Sequence, residues 1–115
     1  MDVYSKLIES LKNCDAACNN CAISSLDEED SKVMSGCIKL NLHCSDVCHL
    51  ALRLVSRDSN HAVSALKLCI NICADCATEC EKYKYDQCQL SAEACRRCET
   101  HCSNYLEQLA EPESI

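Results

Sequence analysis

The spacing of the cysteines constrains this chain more than any other feature of its sequence. Cysteine accounts for 14 of the 115 residues. Within each of four segments the cysteines recur three, four or seven residues apart, which is the repeat of one face of an α-helix. We therefore predict that the inward faces of four helices carry these thiols: Cys14, Cys18 and Cys21; Cys37, Cys44 and Cys48; Cys69, Cys73, Cys76 and Cys80; and Cys88, Cys95, Cys98 and Cys102.

Composition agrees with an all-α fold. The chain has one Gly and one Pro, which excludes collagen-like and turn-dense all-β chains. Apolar and thiol periodicity predicts helices at about 2–24, 28–56, 60–83 and 86–109, with a polar tail at 110–115. Short breaks between long helices force neighbouring helices to run antiparallel. The predicted fold class is therefore an all-α, antiparallel up-down-up-down four-helix bundle with a Cys-lined core, forming a single domain over 1–115.

Antiparallel threading predicts that the two ends of the bundle differ. The cysteines of the first and third helices lie towards the end where those helices finish, and the fourth helix starts there. The opposite end should be an apolar plug, formed by Val3, Tyr4, Leu7, Leu11, Ala51, Leu52, Leu54, Val55, Ala62, Val63, Leu66, Tyr105, Leu106 and Leu109.

Charge and motifs exclude several classes of function. The net charge is −7 and the pI is near 4.9, which argues against a surface for nucleic acid or for an anionic membrane. Apolar runs are too short to span a bilayer. No nucleophile–base pair or Gly-rich phosphate loop occurs, so we expect that the protein is not an enzyme. The first residues lack the features of a signal peptide, which predicts a cytoplasmic protein with reduced thiols.

A column of thiols predicts a polythiolate metal site. Many thiolates in a dry interior are costly unless cations neutralise them. Cu(I) is soft and thiophilic, and one Cu(I) for each thiol proton leaves the interior neutral. We therefore predict multiple Cu(I) ions per chain, with every cysteine a ligand.

Two alternatives remain open at this stage. One is a metallothionein-like buffer for Zn(II) or other soft metals. Because Zn(II) takes four ligands, about four ions would saturate the thiolates and leave a buried charge of roughly −6. The other is a thiol-rich bundle with a redox or structural role, since Cys also packs as a small hydrophobe.

His43 is the best candidate for a further, peripheral ligand. It adjoins Cys44 but points away from the inward stripe of its helix, so a solvated surface histidine is the plainer interpretation. Met34 carries a soft thioether near the same end, where packing is again the plainer role.

Five cysteine-rich segments make the chain similar to a known family. They are Cys14-Asp15-Ala16-Ala17-Cys18-Asn19-Asn20-Cys21-Ala22, Ser35-Gly36-Cys37-Ile38-Lys39-Leu40, Cys44-Ser45-Asp46-Val47-Cys48, the stretch 69–82 with Cys73-Ala74-Asp75-Cys76-Ala77-Thr78-Glu79-Cys80, and the stretch 94–102 with Cys95-Arg96-Arg97-Cys98. Together they resemble the bacterial cysteine-rich copper storage proteins, which are four-helix bundles filled with Cu(I).

The resemblance implies copper storage with many Cu(I) ions per subunit, a homo-oligomer that is often a tetramer, and a cytosolic location for members without a leader. The chain departs from the family pattern in two ways. Ser25 and Ser91 stand where further thiols would extend the cysteine repeat, and Tyr83 and Tyr85 occupy the third break, near the mouth where members often carry histidines.

Overall fold

The protein is a bundle of four α-helices, as the cysteine periodicity predicts. The computed structural model describes residues 1–110, in which α1 spans Val3–Ser25, α2 Ser35–Ser56, α3 Ala62–Cys80 and α4 Asp86–Ala110. α1 packs against α2 and α4, and α3 packs against the same two helices. The all-α, up-down-up-down architecture is thus confirmed. Of the predicted polar tail, Ala110 belongs to α4, and 111–115 lie outside the described residues.

Local sequence explains several helix ends. Asp2 caps α1, because its carboxylate accepts a hydrogen bond of 2.7 Å from the backbone N–H of Ser5. After α2, Asp58 adopts a left-handed backbone with φ of 54°. The Ser59 N–H then reaches the carbonyl of Leu54 at 2.9 Å, which closes the helix in a Schellman turn.

The start of the second helix differs from the prediction. α2 begins at Ser35, whereas the sequence predicted a start near Glu28. Residues 26–34 instead form successive hydrogen-bonded turns, in which Ser31 N–H bonds Glu28 O at 3.1 Å and Met34 N–H bonds Ser31 O at 3.1 Å. No apolar side chain before Met34 is buried in this stretch, so inward packing does not hold it in a helix.

The predicted apolar plug is present but smaller than expected. Leu7, Leu11, Ala51, Val55 and Leu66 are buried at the end where α1 and α3 begin. Tyr4, Val63 and Leu109 are exposed instead, because each lies one residue from a helix end, where fewer neighbouring side chains cover it. Within residues 1–110, no helix combines the length and the hydropathy that crossing a bilayer requires.

Candidate metal centre

All the cysteines point into the bundle. Each of the 14 thiols is a free cysteine with a relative exposure of 0%. Every helix contributes, because each cysteine repeat follows the inward stripe of its helix. The predicted inward orientation of the thiols is therefore confirmed.

The sulfur atoms contact one another across helices. Cys14 Sγ lies 3.7 Å from Cys44 Sγ, 3.9 Å from Cys73 Sγ and 3.8 Å from Cys95 Sγ, so α1 meets all three other helices at this level. The shortest separations are 3.5 Å, for Cys18–Cys95 and for Cys44–Cys73. These distances exceed the ~2.05 Å of a disulfide bond and suit sulfurs that share a small cation.

Groups of thiols are compact enough to bind metal together. In each group the sulfurs lie within 4.8 Å of one another. Four cysteines belong to two groups each, so three of the groups fuse into a column, whereas the group of Cys21, Cys37 and Cys80 shares no member with them. The groups are Cys14, Cys44, Cys48 and Cys73; Cys14, Cys18, Cys44 and Cys95; Cys48, Cys69, Cys73 and Cys98; and Cys21, Cys37 and Cys80.

Burial and mutual hydrogen bonding shift the pKa values of these thiols. Burial away from water raises the pKa of Cys88. Hydrogen bonds with Cys69 and Cys98 raise the pKa of Cys102, and hydrogen bonds with Cys21 and Cys37 lower the pKa of Cys80. Crowded, dry thiols cannot all ionise without a counter-ion, so a cation that binds here must displace protons.

Polar residues interrupt the sulfur column at one level. Asn41 and Ser91 are fully buried, and the Ser91 hydroxyl donates a hydrogen bond of 2.6 Å to Asn41 Oδ1. Our sequence interpretation noted Ser91 but missed Asn41. A signal was available, because Asn41 lies four residues after Cys37 and three before Cys44, on the same helical stripe.

The histidines lie apart from this column. His43 is exposed and belongs to none of the thiol groups found in residues 1–110, so its role as a peripheral ligand stays a prediction. His49 Nδ1 instead lies 3.5 Å from Asp15 Oδ2, and Ser45 donates to the same carboxylate. Met34 is fully buried at the thiol-rich end.

Two connections meet over the thiol-rich end. The Tyr85 hydroxyl donates to Asp30 Oδ1 at 2.7 Å, and the Tyr83 hydroxyl donates to the carbonyl of Val33 at 3.3 Å. Gln87 Nε2 donates to Glu28 Oε1 at 3.3 Å. These bonds fasten the segment 26–34 to the α3–α4 connection and to the first turn of α4.

Comparison with known proteins agrees with this geometry. The Bacillus subtilis "uncharacterized cysteine-rich protein YhjQ" is 40% identical over 103 residues, covering 89% of this chain and 95% of the relative. The structure of the Cu(I)-bound copper storage protein BsCsp3 is 37% identical, with a TM-score of 0.84 over 90% of this chain and 97% of that one.

A third relative comes from Streptomyces lividans. It is a cytosolic copper storage protein whose structure holds five coppers, 32% identical, with a TM-score of 0.87 over 91% of this chain and 92% of that one. The family model for copper storage proteins matches residues 1–107. The protein, with its column of buried thiols, therefore belongs to the copper storage protein family.

Proposed function

We propose that this protein stores Cu(I) inside the bundle, bound by the thiolates of all fourteen cysteines. The observation that carries the proposal is the burial of every thiol inside the bundle, with sulfurs of neighbouring helices in contact. The proposed ligands are Cys14, Cys18, Cys21, Cys37, Cys44, Cys48, Cys69, Cys73, Cys76, Cys80, Cys88, Cys95, Cys98 and Cys102.

Charge balance explains why the cation is monovalent. No Lys, Arg or His side chain is buried in residues 1–110, so no protein cation is available to offset thiolates in the core. When one Cu(I) replaces one thiol proton, the charge of the core does not change. Loading therefore releases protons and avoids the cost of burying net charge.

Charge balance disfavours a Zn(II) store. Because Zn(II) takes four ligands, about four ions would saturate the thiolates and leave a buried charge of roughly −6 that no protein cation in residues 1–110 offsets. Here Cys14 and Cys44 belong to two groups each, as do Cys48 and Cys73. Shared thiolates suit Cu(I), a soft ion that thiolate ligands select, and a thiolate between two Cu(I) ions keeps the charges balanced.

The proposal also covers the cellular location of the protein and its oligomeric state. We place the protein in the cytoplasm, supported by the relative described as cytosolic, and assign it no enzymatic activity. We also propose a homo-oligomer, a tetramer by resemblance to the family. Light scattering on the purified protein tests the assembly, and a mass of one chain would contradict it.

Anaerobic titration with Cu(I) tests the function. We expect binding of about ten or more Cu(I) per chain, roughly one per thiol; a structure of the Streptomyces relative is loaded with 10 copper equivalents. Cys44→Ser should lower the capacity, because Cys44 contacts Cys14, Cys73 and Cys95. Asp46→Asn, an exposed change two residues away, is the matched control and should not.

Two outcomes would contradict the proposal. A plateau at one or two Cu(I) per chain would exclude storage. Zn(II) that resists displacement by Cu(I) under reductant would favour the soft-metal buffer.

In the same titration, His43→Ala should affect only the weakest-bound copper, since the side chain lies outside the column.

A further inference from the structure

Sulfur–sulfur hydrogen bonds leave five cysteines outside the largest network, in two clusters. Because the sulfurs of Cys21, Cys37 and Cys80 lie within 4.8 Å of one another, we treat the two clusters as one outer set. In the outer set, Cys21 pairs with Cys88 at 3.7 Å, while Cys80 pairs with Cys37 at 3.7 Å and with Cys76 at 3.9 Å. The remaining thiols form one connected inner set: Cys14, Cys18, Cys44, Cys48, Cys69, Cys73, Cys95, Cys98 and Cys102. In residues 1–110 the two sets meet through Cys76, whose thiol interacts with Cys18, Cys44 and Cys95 on the inner side and with Cys80 on the outer side.

A buried polar pair lies between them. On the inner side, Ser91 Oγ lies 3.4 Å from Cys18 Sγ. Ser91 donates to Asn41 Oδ1 at 2.6 Å, and Asn41 Nδ2 in turn donates to Cys80 Sγ at 3.1 Å and Cys37 Sγ at 3.3 Å. The pair therefore bridges the two sets with oxygen and nitrogen atoms instead of sulfur.

We propose that Asn41 and Ser91 form a copper-free partition that divides the store into two compartments, and that Asn41 positions Cys37 and Cys80 for Cu(I) in the outer one. The inference rests on the proposed function, since it concerns how the same column holds its copper.

Ligand chemistry explains why the pair would remain free of copper. Cu(I) selects soft sulfur ligands, whereas a hydroxyl and a carboxamide offer hard, neutral oxygen. The pair also occupies inward positions on two helices, α2 and α4, at one level. On α3 the sulfurs continue through Cys73, Cys76 and Cys80, so Cys76 offers the thiol route between the compartments.

Hydrogen bonding explains the positioning role. The Ser91 hydroxyl holds the amide oxygen, so the N–H donors of Asn41 face Cys37 and Cys80. A second contact, of 2.8 Å from Asn41 Nδ2 to the carbonyl of Cys37, fixes the amide on α2. Donors that fix metal ligands in this way change metal affinity by about 10- to 100-fold when removed, and they strengthen when the acceptor is charged.

Release of copper to a chelator tests the partition. Fully loaded protein is mixed anaerobically with excess bathocuproine disulfonate, and absorbance follows Cu(I) transfer. We expect a fast phase from the outer set and a slow phase from the inner set. Cys37→Ser should reduce the fast amplitude and Cys98→Ser the slow one, which assigns the phases.

Variants at the partition give the decisive results. Asn41→Leu should speed the fast phase by about 10- to 100-fold and leave the slow phase unchanged. Ser91→Cys should add a thiol beside Cys18, merge the phases and raise the capacity. Ser91→Thr keeps the hydroxyl and should behave as the unchanged protein, whereas Ser91→Ala should resemble Asn41→Leu.

The outcomes separate this inference from the proposed function. Binding of one or two Cu(I) by the unchanged protein would overturn storage itself. High capacity with a single release phase would overturn the partition alone, as would equal changes in both phases of Asn41→Leu or two separate phases in Ser91→Cys. If Asn41→Leu loses its helical circular dichroism, the three Ser91 variants decide the question.

Discussion

The cysteines and the leucines of the core have different roles, the first in binding metal and the second in stability. Cysteine is a small side chain, so the thiol column buries less apolar surface than leucines at the same positions would. Each fully buried leucine contributes about 1.5–3 kcal/mol by leaving water, and Leu7, Leu11 and Leu66 lie beyond the thiols at one end. Stability of the metal-free chain should therefore depend on this apolar end.

Leu7→Ala tests that division. We expect the substitution to lower the free energy of unfolding of the reduced, metal-free protein by about 2–5 kcal/mol, because it removes buried atoms and leaves a cavity. Urea unfolding followed by circular dichroism measures the change. Cu(I) capacity of the folded variant should stay the same.

Leu90→Ala is the matched control for this measurement. Leu90 is 58% exposed on α4, so its loss should change the free energy of unfolding by less than about 0.5 kcal/mol. An equal effect of the two substitutions would contradict the assigned role of the apolar end.

Sequence periodicity predicts the thiols well because one physical rule governs them. Side chains three and four residues apart share a helix face, so the burial of Cys69 or Cys98 follows from spacing alone. Asn41 escaped prediction because amides are usually exposed, although its position lies in phase with Cys37 and Cys44. Ligation by His43 depends on a metal position that spacing does not determine.

The segments that connect the helices were harder to predict than the helices themselves. The acidic residues from Asp27 to Asp30 are typical of a helix start, since carboxylates favour a helix N-terminus. Their actual partners come from distant sequence: Tyr85 donates to Asp30, and Gln87 donates to Glu28. Such tertiary hydrogen bonds leave no periodic pattern in the chain.

Tyr85→Phe should loosen the segment 26–34. The substitution removes the hydrogen bond to Asp30, so we expect faster amide hydrogen exchange in 26–34 and unchanged exchange in the middle of α3. Tyr4→Phe, an exposed tyrosine in α1, is the control and should change neither. Unaltered exchange in Tyr85→Phe would show that the bond to Asp30 does not hold the segment.

The same bond should give a pH dependence at the alkaline end. Donation to Asp30 raises the pKa of Tyr85 from 10.0 to about 12. A raised pKa in the folded state means that the stabilisation is fully present below pH 10 and is lost as pH rises towards 12. The protection factors of amides in 26–34, which correct for base-catalysed intrinsic exchange, should therefore fall over that interval in the unchanged protein but not in Tyr85→Phe.

The complete bundle should fold without copper, and binding of Cu(I) should then stabilise it further. Four helices joined by short connections can form without metal, because the apolar end and the caps do not depend on copper. We expect strong helical circular dichroism from the reduced, metal-free protein. Loading should raise Tm, since each site held at 100 times its Kd adds about 2.7 kcal/mol.

Thermal scans at increasing Cu(I) measure this linkage. The loaded Cys44→Ser variant should gain less Tm than the loaded unchanged protein, whereas Asp46→Asn should gain as much. A random-coil spectrum for the metal-free chain would contradict independent folding.

The leucines at one end have a consequence for the order in which Cu(I) ions are bound and released. They close one end of the sulfur column, so we expect Cu(I) to enter and leave at the opposite end, near Tyr85. Copper held deepest, near Cys102, must wait for its neighbours above to leave. We therefore expect the Cu(I) ions that bind last to be released first.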